Sequence, residues 1–266
     1  GEVLYGKWKI RLLWFINQGH QRPSQLQRKI PDASRRVLNI QLKELEGHEL
    51  VTKKIYPVVP PKVEYSLTDF GKTLIPEELV NKINKYVDDL IKDDVKVKAQ
   101  DVGANLAGNV KQEFDLDPKF ANECGWVEFL SKECAYWIKE STGKKIKKFH
   151  LIGSWVVRQF ENEYNPIHYH GGHISGVGYL KVPKNFGGTF QKNKKNNNNG
   201  QIHLVHGSKQ FLSDCLFKIT PKKGSFYFFP NYLMHTVYPF YNENEERRSI
   251  SFNALIDEEI YNVYSE

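Results

Sequence analysis

The sequence predicts an α+β protein of two domains: three helices with a two-stranded hairpin, then a jelly roll backed by helices. Three observations carry this prediction. Apolar residues recur at helical spacing as far as Leu45, and β-rich runs take over from Leu50. Many short runs of strand character fill the chain from Phe149 onward. The charge is also split unevenly: of the formal +7, residues 1–68 hold 12 Lys/Arg against 6 Asp/Glu, and the rest hold 26 against 25. A small basic domain suits a nucleic-acid partner. A chain of 266 residues is ample for two domains. Its 13% aromatic content, spread along the whole length, excludes a disordered polymer.

The first helix is expected over 3–17, where Val3, Leu4, Trp8, Ile10, Leu12, Leu13, Phe15 and Ile16 give a buried pattern. Gly19-His20 makes a turn. Pro23, suited to an early helical position, opens a second helix through Lys29. Ser34 is an N-cap for a third. In that helix Val37, Leu38, Leu42 and Leu45 form one apolar stripe, while Arg35, Arg36, Asn39 and Lys43 lie off it. Two strands, 50–58 and 62–67, are joined across Val59-Pro60-Pro61. Helix, helix, helix, strand, strand is the order of a winged helix-turn-helix, whose third helix enters the major groove while the wing meets the backbone. Arg35, Arg36, Asn39, Lys43 and the wing residue Lys62 are therefore the candidate contacts to duplex DNA.

The residues also resemble the HxlR-type winged-helix regulators. The matching words are Gly6-Lys7-Trp8, Arg22-Pro23-Ser24-Gln25-Leu26, Ile30-Pro31-Asp32-Ala33-Ser34, Leu42-Lys43-Glu44-Leu45-Glu46, Leu50-Val51-Thr52-Lys53 and the wing Val59-Pro60-Pro61-Lys62-Val63-Glu64-Tyr65-Ser66-Leu67-Thr68. The resemblance covers about 3–76 and implies a homodimer that binds inverted-repeat DNA. Asp69-Phe70-Gly71 has the letters of the kinase metal-binding tripeptide. No glycine-rich phosphate loop or HRD motif accompanies it, so it reads as a wing-to-helix junction.

The second domain is expected over 77–266, after a first domain of 1–76. Pro76 precedes a helix over 77–92, with Leu79, Ile83, Tyr86, Val87, Leu90 and Ile91 at helical spacing. Another is expected from Pro118 to about Ser141. Strands follow near 149–160, 173–182, 201–205, 215–219, 225–229, 234–239 and 248–256. The low-complexity run Lys192 to Gly200 reads as a hairpin loop. Cys124, Cys134 and Cys215 are odd in number and form no CxxC pair, which fits a reduced, cytoplasmic protein. No apolar run approaches the ~18 residues of a membrane span, so no membrane partner is expected. The single methionine is Met234, so Gly1 reads as the start of a trimmed or processed piece.

The chemistry concentrates on histidines. His168 and His170 stand at i and i+2, so in a strand both address one face and one metal ion. His235, 67 residues after His168 at a strand start, is the natural third ligand. Three protein ligands leave other metal positions open. His173 reads as supporting, and His203 and His206 as weaker ligand candidates. Further on, Arg247-Arg248-Ser249-Ile250-Ser251-Phe252-Asn253 alternates with period two. Arg247, Ser249, Ser251 and Asn253 share one face, and Arg248, Ile250 and Phe252 the other. A guanidinium and a hydroxyl on an inner face make a carboxylate clamp. Tyr179 and Trp155 are candidates to line its pocket.

These words resemble the Fe(II)/2-oxoglutarate oxygenases, near the prolyl-4-hydroxylase-like and phage-encoded groups. They are His168-x-His170, Ser175-Gly176-Val177-Gly178-Tyr179-Leu180, Pro221 to Pro230, His235-Thr236-Val237-Tyr238-Pro239 and Arg247-x-Ser249, with Leu106-Ala107-Gly108-Asn109 upstream. The resemblance runs from about 77 to 258. It implies a double-stranded β-helix, Fe(II) on the histidines, 2-oxoglutarate with its far carboxylate on Arg247 and Ser249, O2 as oxidant, and hydroxylation of a substrate the sequence does not name. One position departs from the family: His170 stands where it has Asp or Glu. Either three histidines hold the metal, or water fills that position and two do. The alternative to an enzyme is a transcriptional regulator whose barrel senses iron or 2-oxoglutarate without turnover.

Overall fold

The computed structural model describes residues 8–17, 19–47, 51–56, 58, 62–67, 72–189, 191, 193–194, 196–207 and 215–262. The Val59-Pro60-Pro61 connection, the Asp69-Phe70-Gly71 junction, residues 3–7 of the expected first helix, and Lys192 and Lys195 of the asparagine-rich run lie outside the described residues. Two compact units divide the chain, the first built on Gly1–Phe70 and the second on Gly71–Lys139, Lys144–Gly207 and Leu216–Glu266.

In the first unit, helices α1 (Lys9–Asn17), α2 (Pro23–Lys29) and α3 (Arg35–Gly47) precede the antiparallel strands β1 (Val51–Tyr56) and β2 (Lys62–Leu67). Gly19 turns the chain after α1 at φ +87°, a conformation that costs glycine little. Pro23 opens α2, and the Ser34 hydroxyl accepts from the Val37 amide at 3.3 Å at the start of α3. Leu38, Leu42 and Leu45 join Trp8, Leu12, Ile16, Leu26, Ile30 and Tyr65 in one core. Val37 departs from the expected stripe and is 37% exposed. It sits one residue, about 100° of helix, before Leu38, and positions 38, 42 and 45 suffice to face the core.

The second unit starts with β3 (Lys72–Leu74), α4 (Glu77–Leu90), α5 (Asp94–Gln100), β4 (Gln112–Asp115), α6 (Pro118–Glu123) and α7 (Trp126–Thr142). Then come β5 (Phe149–Gln159), β6 (Asn165–His168), β7 (Ile174–Lys181), β8 (Ile202–Val205), β9 (Leu216–Ile219), β10 (Ser225–Pro230), β11 (Met234–Val237), β12 (Arg247–Ile256) and the short α8 (Glu258–Tyr261). Six strands pair in the order β3-β10-β7-β12-β5-β4, and four in the order β6-β11-β8-β9. This is the jelly-roll arrangement of two sheets rather than a closed barrel. The single helix expected from Pro118 to Ser141 is two helices. Gly125, at φ +93°, takes a backbone conformation that ends α6 and starts α7.

The strands sort their residues by alternation. On the helix side, Leu180, Phe226, Phe228, Ile250, Phe252 and Ala254 pack with Leu79, Ile83 and Val87 of α4 and Trp126, Phe129, Leu130 and Ile138 of α7. Phe226 is the hub, meeting Trp126, Phe129 and Phe228 at ring-centroid distances of 5.6, 5.9 and 4.8 Å. β7 makes room with glycines: a Cβ on Gly178 would lie 2.5 Å from the Phe226 ring. On the opposite side Val177, Tyr179, Ile202, Leu204, Ile219 and Phe229 form a separate cluster.

Arg248 of β12, 2% exposed, points to the helix side, and its charge is fully engaged. Its guanidinium donates to Asp88 at 2.7 Å, to Glu246 at 2.8 Å and to the Asn84 side chain at 3.0 Å. Burial alone would raise the Glu246 pKa, but Arg158, Arg248 and Lys181 hold it at about 2. The network ties α4 to the central strand.

Truncating Phe226 to alanine removes the ring on which these aromatic contacts converge. Equilibrium urea unfolding is expected to show a loss of about 3–5 kcal/mol; a loss under about 1 kcal/mol would contradict the central position given to Phe226.

Candidate metal centre

β6 and β11 lie side by side with His168 directly opposite His235. His170 follows the end of β6 and turns back over them. The ligand atoms of the three rings all lie within 4.8 Å of one another, and His170 Nε2 stands 3.1 Å from His235 Nε2. Two rings have their tautomer set by the chain itself. His168 Nδ1 lies 2.7 Å from the Pro166 carbonyl and His235 Nδ1 2.9 Å from the Leu233 carbonyl. A carbonyl only accepts, so each Nδ1 carries the proton and each Nε2 keeps its lone pair for the cluster. Burial lowers all three pKa values, that of His170 to about 3 and that of His235 to about 4, with the neighbouring rings adding to the effect. Neutral imidazoles with converging lone pairs are a fitting donor set for a transition metal.

The cluster opens on a cavity of ≈ 270 Å³ between the two sheets. Arg247, Ser249, Ser251 and Asn253 all line it, as do Tyr179, Val177, Trp155 and Phe229. Arg247 is the electrostatic anomaly. It is 2% exposed, yet its guanidinium donates to one neutral acceptor, the Gly200 carbonyl, at 2.8 Å, and its Nε has no partner among the described residues. The Tyr179 hydroxyl, fully buried in the same wall, is also unpartnered. Burial pulls the Arg247 pKa down to about 10, opposed by Tyr179. Two buried donors aimed at a cavity fit the carboxylate of a ligand.

The other histidines lie apart from the cluster. His173 accepts from the Ile256 amide at 3.2 Å, approaches Glu258 at 3.2 Å and stacks on Tyr261 at 4.0 Å, a set of contacts that holds the C-terminal end of β12. His203 is buried against Tyr238 and contacts Gln201 at 3.0 Å, and His206 is exposed. One lining residue had no warning in the motifs. Glu113 on β4 is 1% exposed, and neither of its oxygens has a hydrogen-bond partner among the described residues. Burial and the charge of Asp101 push its pKa up to about 7, against the Asn165 amide. No sequence signal marks it, since its same-face neighbours Lys111 and Asp115 are charged and not buried.

In the first unit, Arg35, Arg36, Asn39 and Lys43 all lie on the exposed side of α3, beside the exposed apolar Val37 and Ile40. Lys62 is already engaged, at 2.9 Å from Glu64 and 4.5 Å over the Tyr56 ring.

Three helices with a two-stranded wing define a winged helix-turn-helix module, and two facing sheets around a histidine cluster define a jelly-roll unit with a candidate metal centre. Comparison with known proteins makes both halves specific. Residues 3–94 match the family described as "HxlR-like helix-turn-helix", and residues 153–253 the family described as "Putative 2OG-Fe(II) oxygenase". The chain is 40% identical over 102 residues, 38% of its length, to the "Uncharacterized HTH-type transcriptional regulator YdeP" of Bacillus subtilis, and covers 80% of that protein. It is 48% identical over 75 residues, 28% of its length, to YkvN of the same organism, and spans 64% of it. A prolyl-4-hydroxylase of Pseudomonas putida aligns with 70% of this chain and 93% of its own at 16% identity and a TM-score of 0.42. The chain belongs to the HxlR-like helix-turn-helix family through its first unit and carries a 2OG-Fe(II) oxygenase domain in its second.

The depressed imidazoles give the fold a pH signature. Their folded pKa values lie below the ordinary 6.5, so below pH 6.5 the unfolded chain takes up protons that the folded chain refuses. The stability they permit is present above pH 6.5 and lost as pH falls toward about 4 for His235 and about 3 for His170. In metal-free protein Tm is expected to drop over that window, and to drop less in His170→Phe. Equal pH slopes for the two proteins would show that His170 is not held neutral by its surroundings.

Proposed function

We propose that the second unit is an Fe(II)- and 2-oxoglutarate-dependent dioxygenase that hydroxylates its substrate. The observation that carries this reading is Arg247. A buried guanidinium without a carboxylate, in the wall of a cavity that also holds three neutral imidazoles, needs an anionic ligand of the right reach. In this reading His168, His170 and His235 hold the metal, and Arg247, Ser249 and Tyr179 take the far carboxylate of 2-oxoglutarate. When bound, iron and cosubstrate supply O2 activation: one oxygen atom leaves in succinate, the other becomes the new hydroxyl, and CO2 is released. The chain's own part is to bind, orient and exclude water. Nδ1–H bonds to Pro166 and Leu233 aim His168 and His235. Ser249 and Tyr179 face each other across β12 and β7, so their hydroxyls approach one carboxylate from adjacent strands.

The charge bookkeeping predicts opposite signs for one substitution. Replacing Arg247 with Met removes a buried, poorly compensated charge, so the ligand-free protein is expected to keep or gain Tm. The same variant is expected to lose the Tm rise that 2-oxoglutarate gives the metal-loaded wild type. A 2-oxoglutarate response retained in Arg247→Met would remove this residue from the site. Succinate release with iron(II), ascorbate and 2-oxoglutarate tests turnover. Tight binding without succinate under varied substrates would replace the enzyme with a 2-oxoglutarate or iron sensor, the reading that the regulator-family first unit favours.

For the first unit the reading is duplex-DNA docking through α3, as a homodimer. Arg35, Arg36, Asn39 and Lys43 offer phosphate and base contacts, and Val37 and Ile40 offer apolar contact to thymine methyls. Against a duplex inverted repeat, the double variant Arg36→Ala, Lys43→Ala is expected to weaken binding and flatten the log K against log[salt] slope by about 2. A slope that does not change would place DNA elsewhere or nowhere on this unit.

A further inference from the structure

Three strand pairings place Glu113 in line with the proposed cosubstrate site. Glu113 of β4 is opposite Val157 of β5, Val157 is opposite Ser249 of β12, and Ser249 is opposite Tyr179 of β7. Directly opposite residues point to the same side, and all four line the cavity. Neighbouring strands are about 4.8 Å apart, so this row spans roughly 14 Å of backbone. A five-carbon diacid, about as long as two extended residues or roughly 7 Å, held at the Tyr179 end stops well short of Glu113. The far end of the cavity is therefore left for a second molecule.

That end has its own chemistry. Glu113 is 1% exposed, and among the described residues its oxygens make no well-formed hydrogen bond, with the Asn165 amide the one polar donor acting on it. The loop over it leaves no slack: a Cβ on Gly108 would lie 2.6 Å from Glu113 Oε1 and 2.9 Å from Asn165 Nδ2. Asn165, 9% exposed, flanks it, and Asp101 and Glu163 add negative charge around it. Asn165 also begins β6, three residues before His168 and roughly 10 Å away along the strand. A group held at Glu113 thus shares the cavity with the histidine cluster.

We propose that Glu113, flanked by Asn165, is the substrate-recognition residue of this cavity, and that it takes a cationic nitrogen group, the ammonium or guanidinium of a basic side chain. The inference deepens the oxygenase reading and rests on it. The acidic cluster alone would not carry it. The buried Glu113 side chain lining the cavity does: neither oxygen has a well-formed hydrogen bond among the described residues, the Asn165 amide is the one polar donor acting on it, and a cationic donor would meet what that amide leaves open. A cation offers charge and several N–H donors at once. The cavity is then polar in a defined sense, with an anion at the Arg247 end and a cation at the Glu113 end.

The test uses the full chain loaded with zinc(II) and 2-oxoglutarate, which permits binding without turnover. Nα-acetyl-lysine amide and Nα-acetyl-arginine amide are titrated calorimetrically against their uncharged counterparts, the norleucine and citrulline derivatives. The cationic probes are expected to bind at least tenfold more tightly, and Glu113→Gln, which keeps shape and removes charge, is expected to abolish the difference. The 2-oxoglutarate-induced Tm rise, measured before any probe is added, is expected to be unchanged in Glu113→Gln. A protein that fails to respond to 2-oxoglutarate sinks the oxygenase reading itself. A protein that binds 2-oxoglutarate but shows equal affinity for charged and uncharged probes, or no measurable affinity for the cations, overturns the proposal alone. Selectivity retained in Glu113→Gln overturns it too, and the wild-type comparison stands even if that variant folds poorly.

Discussion

Two adjacent arginines on the central strand β12 divide the labour of the second unit. Both are 2% exposed, and alternation sends them to opposite faces. Arg248 meets Asp88, Glu246 and Asn84, and so anchors α4 to the sheet. Arg247 meets a single carbonyl and otherwise faces the cavity. A buried guanidinium is tolerable when its hydrogen bonds are answered, and the helix side answers them within the fold. On the cavity side the described residues answer Arg247 with the Gly200 carbonyl alone. The aromatic packing around Phe226 and the network around Glu246 hold β12 in place, and so fix where the unanswered charge points.

The same allocation explains the histidines. A cluster of imidazoles in solution would repel as it protonates and would rotate freely. Here the strand pairing of His168 with His235 brings two rings together, and main-chain carbonyls two residues upstream lock their tautomers. Desolvation keeps the rings neutral, so no proton competes for the lone pairs near neutral pH. The third ring, His170, is positioned through its backbone: its amide donates to the carbonyl of Asn231, at the turn between β10 and β11, and its carbonyl accepts from the Asn231 side-chain amide. The centre is thus held from both sheets.

Much of this was legible in the sequence. Long elements with many core-facing side chains, α3, α4, β5, β7 and β12, lie close to where the sequence put them because many side chains vote for each, and α2 follows from Pro23 at its start. The face shared by Arg247, Ser249, Ser251 and Asn253 followed from period two alone, and all four line one cavity. What escaped is short or borrowed. β3 has three residues, and it exists only because β10 offers an edge; although it lies within the first 76 residues, it folds into the second unit's sheet. β6 contains Pro166, which argues against a strand, and forms because it is an edge of its four-stranded sheet. The helix expected over 118–141 broke at Gly125, a position whose left-handed backbone no periodicity count detects. Glu113 escaped because β4 is four residues long and carries no motif. Its role depends on a row of four strands that only the folded sheet assembles.

The unanswered polar atoms are informative as a set. Arg247 Nε, the Tyr179 hydroxyl, both Glu113 oxygens and Asn253 Oδ1 lack partners, and all four residues border the same cavity. Other such atoms lie elsewhere, on Gln27, Gln100 and Gln159 among them, so it is the position of these five on one wall, and not their number, that bears on a ligand. Donors stand at the Arg247–Tyr179 end and the Glu113 oxygens three strand spacings away, so a symmetric ligand fits the pattern badly. A single small diacid fits half of it and leaves the acceptors dry. On the proposed reading an acid would meet Arg247 and Tyr179 and a base would meet Glu113, in a cavity that the histidine cluster also lines. That is the arrangement a cosubstrate-dependent reaction requires. The oxidant has to be activated at the metal while the bond to be attacked is held beside it, and the two ends of the cavity let the chain select each partner separately.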